Sequence, residues 1–363
     1  MTISIIHVIT TIELGGAEKQ LLALASQQRK MGATVEVIFL KDKPSLLSEF
    51  SKSDVLVNTQ YYELNFLNQI FLLWKRRVEK NSVFHAHLPR AELLCALSLA
   101  KNSFLVTRHN SEAFFPGVQS VISKVISRFV LSRSFASISI SRAVSEYLTK
   151  SGEISQSSRN HVIYYGFPIT TVKSQKRRLD NAKEFRIGSV SRLVKQKNLP
   201  FLLEVIRILS RVKKTNFQVS IAGEGPLLDE LIALSAKLGT SSVVNWLGKV
   251  SNIDSFYDSL DLFVLTSDYE GFGLVMLEAM YSGIPIVARR VSAIPEVLGT
   301  SHPGLVEEDS AEAFAQKVSL MLINKELREE CLRYQEKELS KFSMERVWVQ
   351  HNQIYLDLLS LQL

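Results

Sequence analysis

The chain has 363 residues, more than one ordinary domain needs, and its composition of 46% hydrophobic and 22% charged residues predicts a globular protein with two cores. Its two cysteines, Cys95 and Cys331, stand far apart and outside any Cys/His cluster, which argues against a disulfide framework or a structural zinc site and fits a reducing cytoplasm. No apolar run approaches the roughly 20 residues of a membrane-spanning helix. The first residues lack a basic region and a cleavage site, so they predict a strand rather than a signal peptide.

The net charge of +7 is concentrated in the first half of the chain. Residues 1–166 contain 19 basic and 12 acidic side chains, whereas residues 167–363 contain 24 of each. We therefore expect the first half to meet an anionic partner, such as a phospholipid surface, a lipid diphosphate or nucleic acid.

Short apolar runs alternate with helical patterns in the first half, which predicts βαβ units around a parallel sheet. The predicted strands are Ile3–Thr10, Thr34–Leu40, Val83–His87, Phe104–Arg108, Ser137–Ser141 and His161–Tyr165, and the clearest helices are 17–32 and 91–100. The polar segment 168–184 is predicted to be an interdomain linker.

The same alternation restarts after this segment. Strands are predicted at Phe185–Val190, Phe217–Ala222, Val243–Trp246, Leu262–Leu265 and Ile286–Ala288, with helices at 199–212, 227–238, 253–260 and 273–282. The sequence therefore predicts an α/β protein with two Rossmann-like, doubly wound domains, 1–167 and 185–343, and an amphipathic last helix, 344–363. Ligands of such sheets bind at the carboxyl ends of the strands, so we expect the site in a cleft that both domains face.

One helical stripe in the first half allows two interpretations. Its apolar members are Val118, Val121, Ile122, Val125, Ile126, Phe129 and Val130, and Lys124, Arg128 and Arg133 lie away from them. A basic amphipathic helix is typical of contact with an anionic membrane. The slightly favoured interpretation is that the stripe packs into the core of its own domain.

The segment after the predicted strand Leu262–Leu265 carries the strongest chemical signal. Glu270 and Glu278 stand eight residues apart around the sequence Gly271-Phe272-Gly273-Leu274-Val275. Glycines allow backbone N–H groups to approach a ligand closely, and a helix N-terminus favours a phosphate. A carboxylate can accept hydrogen bonds from two sugar hydroxyls.

A second signal follows the strand Phe185–Val190. Arg192 and Lys197 come between this strand and the next predicted helix. Two cations at the carboxyl end of a strand suit a pyrophosphate, because Arg binds bidentately and Lys as a point charge. Lys195 is the less favoured partner.

With these motifs the chain resembles the GT-B-fold, retaining glycosyltransferases of family 4 over nearly its whole length. The resemblance implies that Arg192 and Lys197 neutralise the diphosphate of a nucleotide-sugar donor and that Glu270 and Glu278 hold its sugars. Further donor contacts are implied at the glycine pair Gly15-Gly16 and at the two nucleotide-side turns, Gly223-Glu224 and Leu247-Gly248.

In the first half the resemblance implies that His109 contacts the transferred sugar, which completes a catalytic set of His109, Glu270, Arg192 and Lys197. His87, Arg90 and Asn110 are candidate acceptor residues. His85 and His87 look like a metal pair, but no third ligand is evident. Because no Asp-x-Asp triplet occurs, we expect no metal and no cofactor, with cations and helix N-termini in the place of a metal.

The expected reaction is transfer from a UDP-, GDP- or ADP-sugar, with retention, to a glycan or lipid-linked acceptor of bacterial surface-polysaccharide synthesis. The enzyme is expected in the cytoplasm, and peripheral contact at the inner face of the membrane is left open. The alternatives are a nucleotide-sugar 2-epimerase of the same fold and a catalytically silent binding partner. Nucleic acid is the least favoured partner because no aromatic-rich basic stripe appears. Two departures from the family pattern, Tyr165-Gly166 and the residues before Pro295, leave the sugar open.

Overall fold

Parallel strands form the framework of both halves of the chain, which the computed structural model describes over residues 3–42, 44–79, 81–115, 117–155, 158–169, 184–211 and 216–361. The chain divides into two units, which we call unit 1 (residues 1–168 and 342–363) and unit 2 (residues 169–341). Most of the predicted linker 168–184 lies outside the described residues.

The described part of unit 1 contains a seven-stranded parallel sheet. Its strands are β1 Ser4–Ile9, β2 Thr34–Phe39, β3 Leu56–Asn58, β4 Ser82–His87, β5 Phe104–Arg108, β6 Ala136–Ser139 and β7 Asn160–Val162, in the order β3-β2-β1-β4-β5-β6-β7. Its helices are α1 Gly16–Lys30, α2 Leu47–Lys52, α3 Phe66–Lys75, α4 Pro89–Ser98, α5 Ser120–Arg133 and α6 Arg142–Lys150. Helices α2, α3 and α6 and strand β3 are elements that the sequence pattern did not predict.

Unit 2 repeats this architecture with a six-stranded parallel sheet among its described residues. The strands are β8 Phe185–Val190, β9 Phe217–Ala222, β10 Val244–Gly248, β11 Leu262–Leu265, β12 Ile286–Arg289 and β13 Leu305–Val306, in the order β10-β9-β8-β11-β12-β13. The helices are α7 Leu199–Arg211, α8 Leu228–Leu238, α9 Ile253–Asp258, α10 Leu274–Tyr281, α11 Ile294–Leu298, α12 Ala311–Ile323 and α13 Lys325–Leu339. The predicted fold class, α/β with two Rossmann-like sheets, is confirmed.

The last helix, α14 Met344–Ser360, belongs to unit 1 and packs against α1. The side chain of Ser343 accepts a hydrogen bond from the backbone N–H of Arg346 and so caps the first turn. Val347, Ile354 and Leu358 are buried, whereas Leu356 is exposed. The predicted amphipathic helix is therefore present.

Side chains alternate between the two faces of each strand, and this alternation separates two environments in unit 1. Ile5 and Ile9 of β1 belong to the cluster that α1 and α14 cover. Ile6 and Val8 belong to the opposite cluster, to which α3 and α4 contribute. Every second residue of β1 and β4 therefore faces α1 and α14.

Helix α5 contradicts the expectation that its apolar stripe packs into the core. Val118, just before it, and Val121, Ile122, Val125 and Phe129 are between 41% and 70% exposed, and of the stripe only Val130 is fully buried. The buried face carries Ser123 and Ser127 instead. The physical reason lies beneath the helix, where Arg108 of β5 forms ion pairs with Glu92 at 3.1 Å and with Glu153 at 3.7 Å. Ser127 accepts a hydrogen bond from Arg108 at 2.8 Å and donates one to Glu153, so the helix turns its polar side inward.

Among the described residues, no helix is both long and apolar enough to cross a membrane.

Candidate functional site

The sheet of unit 2 changes the direction of its strand order between β8 and β11, which are direct neighbours. Ligands of open α/β sheets bind beside the carboxyl ends of the strands at such a switch point. The loop after β8 carries Arg192 and Lys197, and the loop after β11 carries Glu270. The fold therefore brings two of the strongest sequence signals to the same sheet edge.

Lys197 and Glu270 meet directly across this edge. The ammonium Nζ of Lys197 lies 2.7 Å from Oε1 of Glu270, and Ser267 donates a second hydrogen bond to the same oxygen at 2.7 Å. The other oxygen, Oε2, has no hydrogen-bond partner among the described residues. One carboxylate oxygen is thus held by the protein, and the other is available to a hydroxyl of a ligand.

The two loops are also joined through their backbones. The N–H of Asp268 donates to the carbonyl of Gln196 at 2.9 Å, and the side-chain amide of Gln196 donates to the carbonyl of Tyr269 at 2.9 Å. Ser292, whose φ of 50° is rare for a residue with a side chain, donates its hydroxyl to the carbonyl of Glu270 at 2.9 Å. These bonds fix where the Glu270 carboxylate lies relative to Lys197.

Arg192 differs from Lys197 in that its guanidinium is exposed and has no ion-pair or hydrogen-bond partner among the described residues. An unpaired cation at a switch point is suited to an anion from solution, since no internal bond must be broken first. Lys195 is exposed as well and lies in the same short segment.

Glycines control the approach to the first turn of α10. Gly273 precedes the helix with a φ of 90°, and a Cβ at this position would lie 2.5 Å from Cε of Met276. The first N–H groups of a helix have no partner within the helix, and the helix dipole favours negative charge there. Gly271, Leu274 and Val275 are all partly exposed beside this turn, whereas Phe272 is buried.

Glu278 lies in the second turn of α10 and is partly exposed. Tyr257 of α9 donates its hydroxyl to Oε2 of Glu278 at 2.8 Å. Burial and the nearby Glu278 carboxylate raise the pKa of Tyr257 well above its ordinary value, so the phenol remains a donor at neutral pH. Tyr257 therefore orients the second carboxylate of the motif, and no sequence pattern indicates this partner.

The two predicted nucleotide-side turns lie next to each other. The N–H of Gly223 donates to the carbonyl of Gly248 at 2.8 Å, and a Cβ on Gly223, whose φ is 138°, would lie 1.9 Å from the carbonyl oxygen of Ser191. Glu224 is exposed, and Leu247 is 45% exposed at the end of the edge strand β10. The pair therefore offers an apolar surface beside backbone groups, which suits a planar base.

Unit 1 contains a second polar constellation, on the face that α1 and α14 cover. We call it the histidine chain: Gln28, His7, His87, His109 and Tyr165, joined end to end by hydrogen bonds. The distances are 2.8 Å from Gln28 Oε1 to His7 Nε2, 3.0 Å from His7 Nδ1 to His87 Nε2, 3.1 Å from His87 Nδ1 to His109 Nε2 and 2.5 Å from His109 Nδ1 to the Tyr165 hydroxyl. His109 is thus bound by protein at both ring nitrogens.

A branch of the histidine chain begins at the side-chain amide of Gln28. Gln28 Nε2 donates to the hydroxyl of Tyr355 at 3.2 Å, and this hydroxyl lies 2.9 Å from Nδ1 of His85. The other nitrogen of His85 lies 2.7 Å from Thr107 Oγ1. Tyr355 comes from α14, so the last helix completes the arrangement.

Burial keeps these histidines neutral. Desolvation lowers the pKa of His7 to about 4 and that of His109 to about 3, and it lowers the pKa values of His85 and His87 well below their ordinary value. A neutral imidazole has one donor and one acceptor nitrogen, which is what a linear chain of such rings requires.

His7 supplies the third histidine that the sequence analysis did not find beside His85 and His87. Ligand nitrogens of the three rings lie within 4.8 Å of one another, a spacing that a metal ion could bridge. However, all six of their ring nitrogens already form hydrogen bonds to protein groups. The hydrogen-bonding capacity of these three histidines is therefore satisfied by protein groups, without an ion.

The remaining predicted residues of unit 1 are more scattered. Gly15 and Gly16 begin α1, and a Cβ on Gly15 would lie 2.1 Å from Oε2 of Glu18. Asn110 is exposed and donates to Glu112 at 3.2 Å, next to His109 in the chain. Arg90 donates to Gln69 of α3 at 3.2 Å, and no hydrogen bond joins it to His87 or His109 among the described residues.

The sequence matches two family models. Residues 14–170 match the model described as Glycosyltransferase Family 4, and residues 172–338 match the model described as Glycosyl transferases group 1. Between them the two matches leave only residue 171 uncovered from residue 14 to residue 338.

Similar proteins are found among named enzymes and among solved structures. The N-acetyl-alpha-D-glucosaminyl L-malate synthase of Bacillus anthracis is 25% identical over 77% of this chain and 76% of that protein. A Campylobacter jejuni alpha-1,4-N-acetyl-D-galactosaminyltransferase, named for an undecaprenol-diphosphate-linked glycan, is 24% identical over 94% of each chain. The crystal structure of Anabaena HepE in complex with UDP-glucose superimposes with a TM-score of 0.82 at 18% identity and covers 98% of this chain and 99% of that one. The last likeness establishes a common fold.

Proposed function

The chain belongs to the glycosyltransferase family that these two models describe, and from that premise we propose that it moves a sugar from a nucleotide-diphosphate sugar onto a glycan or lipid-linked acceptor. The observation that carries the proposal is the switch point of unit 2, where Arg192 is unpaired and Lys197 lies 2.7 Å from Glu270. Cations there suit the diphosphate, and a carboxylate with a free oxygen suits a sugar hydroxyl.

In the proposed reaction the bond between the anomeric carbon and the diphosphate oxygen breaks, and its electron pair leaves with the nucleoside diphosphate. The acceptor hydroxyl attacks from the same face, so configuration is retained, and its proton passes to the departing phosphate. Arg192 and Lys197 stabilise the charge that develops on the leaving group, the largest electrostatic demand of the step. With these cations we propose that no metal ion is needed.

For the donor we propose UDP-, GDP- or ADP-sugars, with UDP-sugars as the first to test because HepE was crystallised with UDP-glucose. Leu247 and the adjacent turn at Gly223 would receive the base. The resemblance implies that Glu270 and Glu278 hold the sugars, and Tyr257 would orient Glu278 for this role.

The test is release of nucleoside diphosphate from a panel of UDP-, GDP- and ADP-sugars in the presence of a chelator. Acceptors would be supplied as an extract of bacterial membrane lipids. We expect release from one donor, reduced about 100-fold or more in Arg192→Ala and in Glu270→Ala. The matched control is Lys195→Ala, which removes an exposed cation from the same segment and should retain activity.

The same assay separates this proposal from its alternatives. A nucleotide-sugar 2-epimerase would convert the donor without any acceptor, and product analysis would identify the new sugar. A catalytically silent partner would bind a donor in calorimetry without releasing diphosphate. Absence of both release and donor binding across the panel would overturn the proposal. A requirement for divalent cation, seen as activity lost with chelator and restored by metal, would overturn metal independence alone.

We further propose that the enzyme works in the cytoplasm and contacts the inner face of the membrane through one surface of unit 1. This surface, the α3–α5 face, consists of three helices of one layer, with α4 packed between α3 and α5. It exposes ten apolar or aromatic side chains: Leu67, Phe71, Trp74, Val78, Leu97, Val118, Val121, Ile122, Val125 and Phe129.

Cations lie among these apolar groups, which favours an anionic phospholipid surface as the occupant. Lys75 lies over the ring of Phe71 at 4.5 Å, and Arg77 lies over that of Trp74 at 3.5 Å. Arg128 is exposed on α5. Apolar side chains interleaved with cations bind at the boundary of headgroups and acyl chains, and anionic lipid adds electrostatic attraction.

Sedimentation with vesicles tests this contact. We expect binding to phosphatidylglycerol vesicles, weaker binding to phosphatidylcholine vesicles, and loss of binding in the double variant Val121→Glu/Val125→Glu. Val349→Glu is the control, since Val349 is 65% exposed on α14, outside this face. Equal binding of the double variant and of the control would overturn the assignment, as would monomer-to-dimer conversion that buries the face instead.

A further inference from the structure

The direction of every hydrogen bond in the histidine chain follows from one side-chain amide. Gln28 is fully buried on α1 and holds two groups at once, with its oxygen 2.8 Å from His7 Nε2 and its nitrogen 3.2 Å from the hydroxyl of Tyr355. An amide oxygen can only accept a hydrogen bond, so Nε2 of His7 must carry a proton.

The consequence passes from ring to ring. Because His7 is neutral and protonated at Nε2, its Nδ1 is an acceptor and must receive a proton from Nε2 of His87. The same reasoning at His87 places the proton of His109 on Nε2. Nδ1 of His109 is then an acceptor and receives the hydroxyl proton of Tyr165.

The opposite orientation of the amide would reverse each of these bonds. Gln28 would then donate to His7, every ring of the chain would carry its proton on Nδ1, and His109 would present a donor toward Tyr165. A single ring cannot change alone, since that would leave two protons or two lone pairs facing each other in a buried site, which is costly. The chain therefore has two self-consistent states. The Tyr355 hydroxyl can donate or accept and fits both, so the orientation of the Gln28 amide, with its oxygen toward His7, selects the first state.

We propose that Gln28 is a positioning residue that, through His7 and His87, holds His109 as its Nε2–H tautomer with an acceptor nitrogen directed toward Tyr165. Its consequence for the reaction rests on the proposed function and on the family resemblance, which implies that His109 contacts the transferred sugar. A sugar hydroxyl that takes the place of the Tyr165 hydroxyl would donate to Nδ1. His109 would thus select a group with a proton to give.

The test measures tautomers directly. Protein with ¹⁵N-labelled histidine is examined by long-range ¹H–¹⁵N correlation at neutral pH, because protonated and unprotonated ring nitrogens have distinct ¹⁵N shifts. Single histidine replacements assign the resonances. We expect protonated Nε2 and unprotonated Nδ1 at His7, His87 and His109 in the unaltered protein.

Two variants change the groups that set the direction of the hydrogen bonds in the histidine chain, and a third variant leaves these groups in place. Gln28→Met removes the amide, and Tyr355→Phe removes the second hydrogen-bond partner of the amide and separates it from the His85 branch, so in both we expect His109 to show a mixture of tautomers or the Nδ1–H form. His351→Gln is the control, because it alters a buried histidine whose ring bonds to the carbonyl of Val347 rather than to a member of the histidine chain, and it should leave His109 unaltered. Tyr355→Phe removes one oxygen atom and keeps the test valid where Gln28→Met does not fold.

Protonation of His109 at Nδ1 in the unaltered protein would overturn the proposal. So would an unchanged Nε2–H signal of His109 in folded Gln28→Met or Tyr355→Phe. These measurements need no donor, so they stand apart from any failure of the proposed function.

The selection of a hydroxyl has its own test once a donor is known. Deoxyfluoro analogues replace one sugar hydroxyl at a time by fluorine, which cannot donate a hydrogen bond. We expect one position at which kcat/KM falls about 10-fold or more. That fall should be smaller in Tyr355→Phe, in which His109 can also donate, and equal sensitivity in both proteins would overturn the selective role.

Discussion

Acidification should destabilise unit 1 through its buried histidines. His7, His85, His87, His109 and His351 all have pKa values lowered by burial, to about 4 at His7 and at His351. In an unfolded chain the histidines have a pKa near 6.5. Below that pH the unfolded state therefore binds more protons than the folded state, in which the histidines remain neutral. The sign is therefore a loss of stability as the pH falls from above 6.5 toward 4.

The magnitude follows from linkage. Between pH 7.5 and 5.5 each such histidine costs about 1.4 kcal/mol, so five cost about 7 kcal/mol. Glu92 acts in the opposite direction, because burial raises its pKa to about 7 and the folded state binds its proton at a higher pH than the unfolded state does. Its protonation stabilises the folded state by about 2 kcal/mol over the same interval. The expected net loss is about 5 kcal/mol, comparable to the whole stability of many domains.

Urea unfolding at pH 7.5, 6.5 and 5.5, followed by tryptophan fluorescence, measures this loss. The variant Trp246→Phe removes the tryptophan of unit 2, so that Trp74 and Trp348 report on unit 1. His351→Gln should reduce the pH dependence by about 1.4 kcal/mol. A free energy of unfolding that is equal or higher at pH 5.5 would refute the reasoning.

Three further predictions concern single side chains. Gly223→Ala should lower the free energy of unfolding of unit 2 by at least about 2 kcal/mol in urea titrations, because a Cβ there meets a backbone oxygen at 1.9 Å. Tyr257→Phe should cost about 1 kcal/mol of stability and weaken donor binding in calorimetry, because Glu278 loses the bond that orients it. Ser127→Val should destabilise unit 1 by about 1–3 kcal/mol although it makes the helix more apolar, whereas Val125→Ser should cost less than about 0.5 kcal/mol.

Each of these has a control. Gly239→Ala also places a side chain at a positive φ, 72°, but nothing lies within 4 Å, so a cost equal to that of Gly223→Ala would contradict the steric explanation. If Tyr257→Phe left the donor affinity unchanged, this would contradict the proposed role of Glu278 in donor binding. A larger loss from Val125→Ser than from Ser127→Val would mean that α5 buries its apolar side after all.

Much of the fold could be predicted from the sequence because the signals are local. A parallel strand buried on both faces is an unbroken apolar run such as Leu262–Leu265, and that strand has the predicted bounds. The strand bounds Phe104–Arg108 and Phe217–Ala222 also agree with the prediction. The shorter or more polar elements, such as β3 and α6, were missed because their periodicity spans too few residues.

The candidate donor site was predictable for a related reason. Arg192, Lys197 and Glu270 each follow a strand, and a doubly wound sheet brings the carboxyl ends of its strands to one edge. The prediction of a glycosyltransferase, made from these motifs, is confirmed by the family models. Retention, the donor and metal independence stay predictions.

What the sequence by itself determined are the βαβ alternation, the motifs at the strand ends and the family. The tertiary structure alone decided which way α5 faces, since helical periodicity identifies residues that share a face but not the surface beneath them, here Arg108 with Glu92 and Glu153. The tertiary structure alone also brings together the residues of the histidine chain. His7 and His87 stand 80 residues apart, and only the pairing of β1 with β4, together with α1 above them, places Nδ1 of His7 3.0 Å from Nε2 of His87.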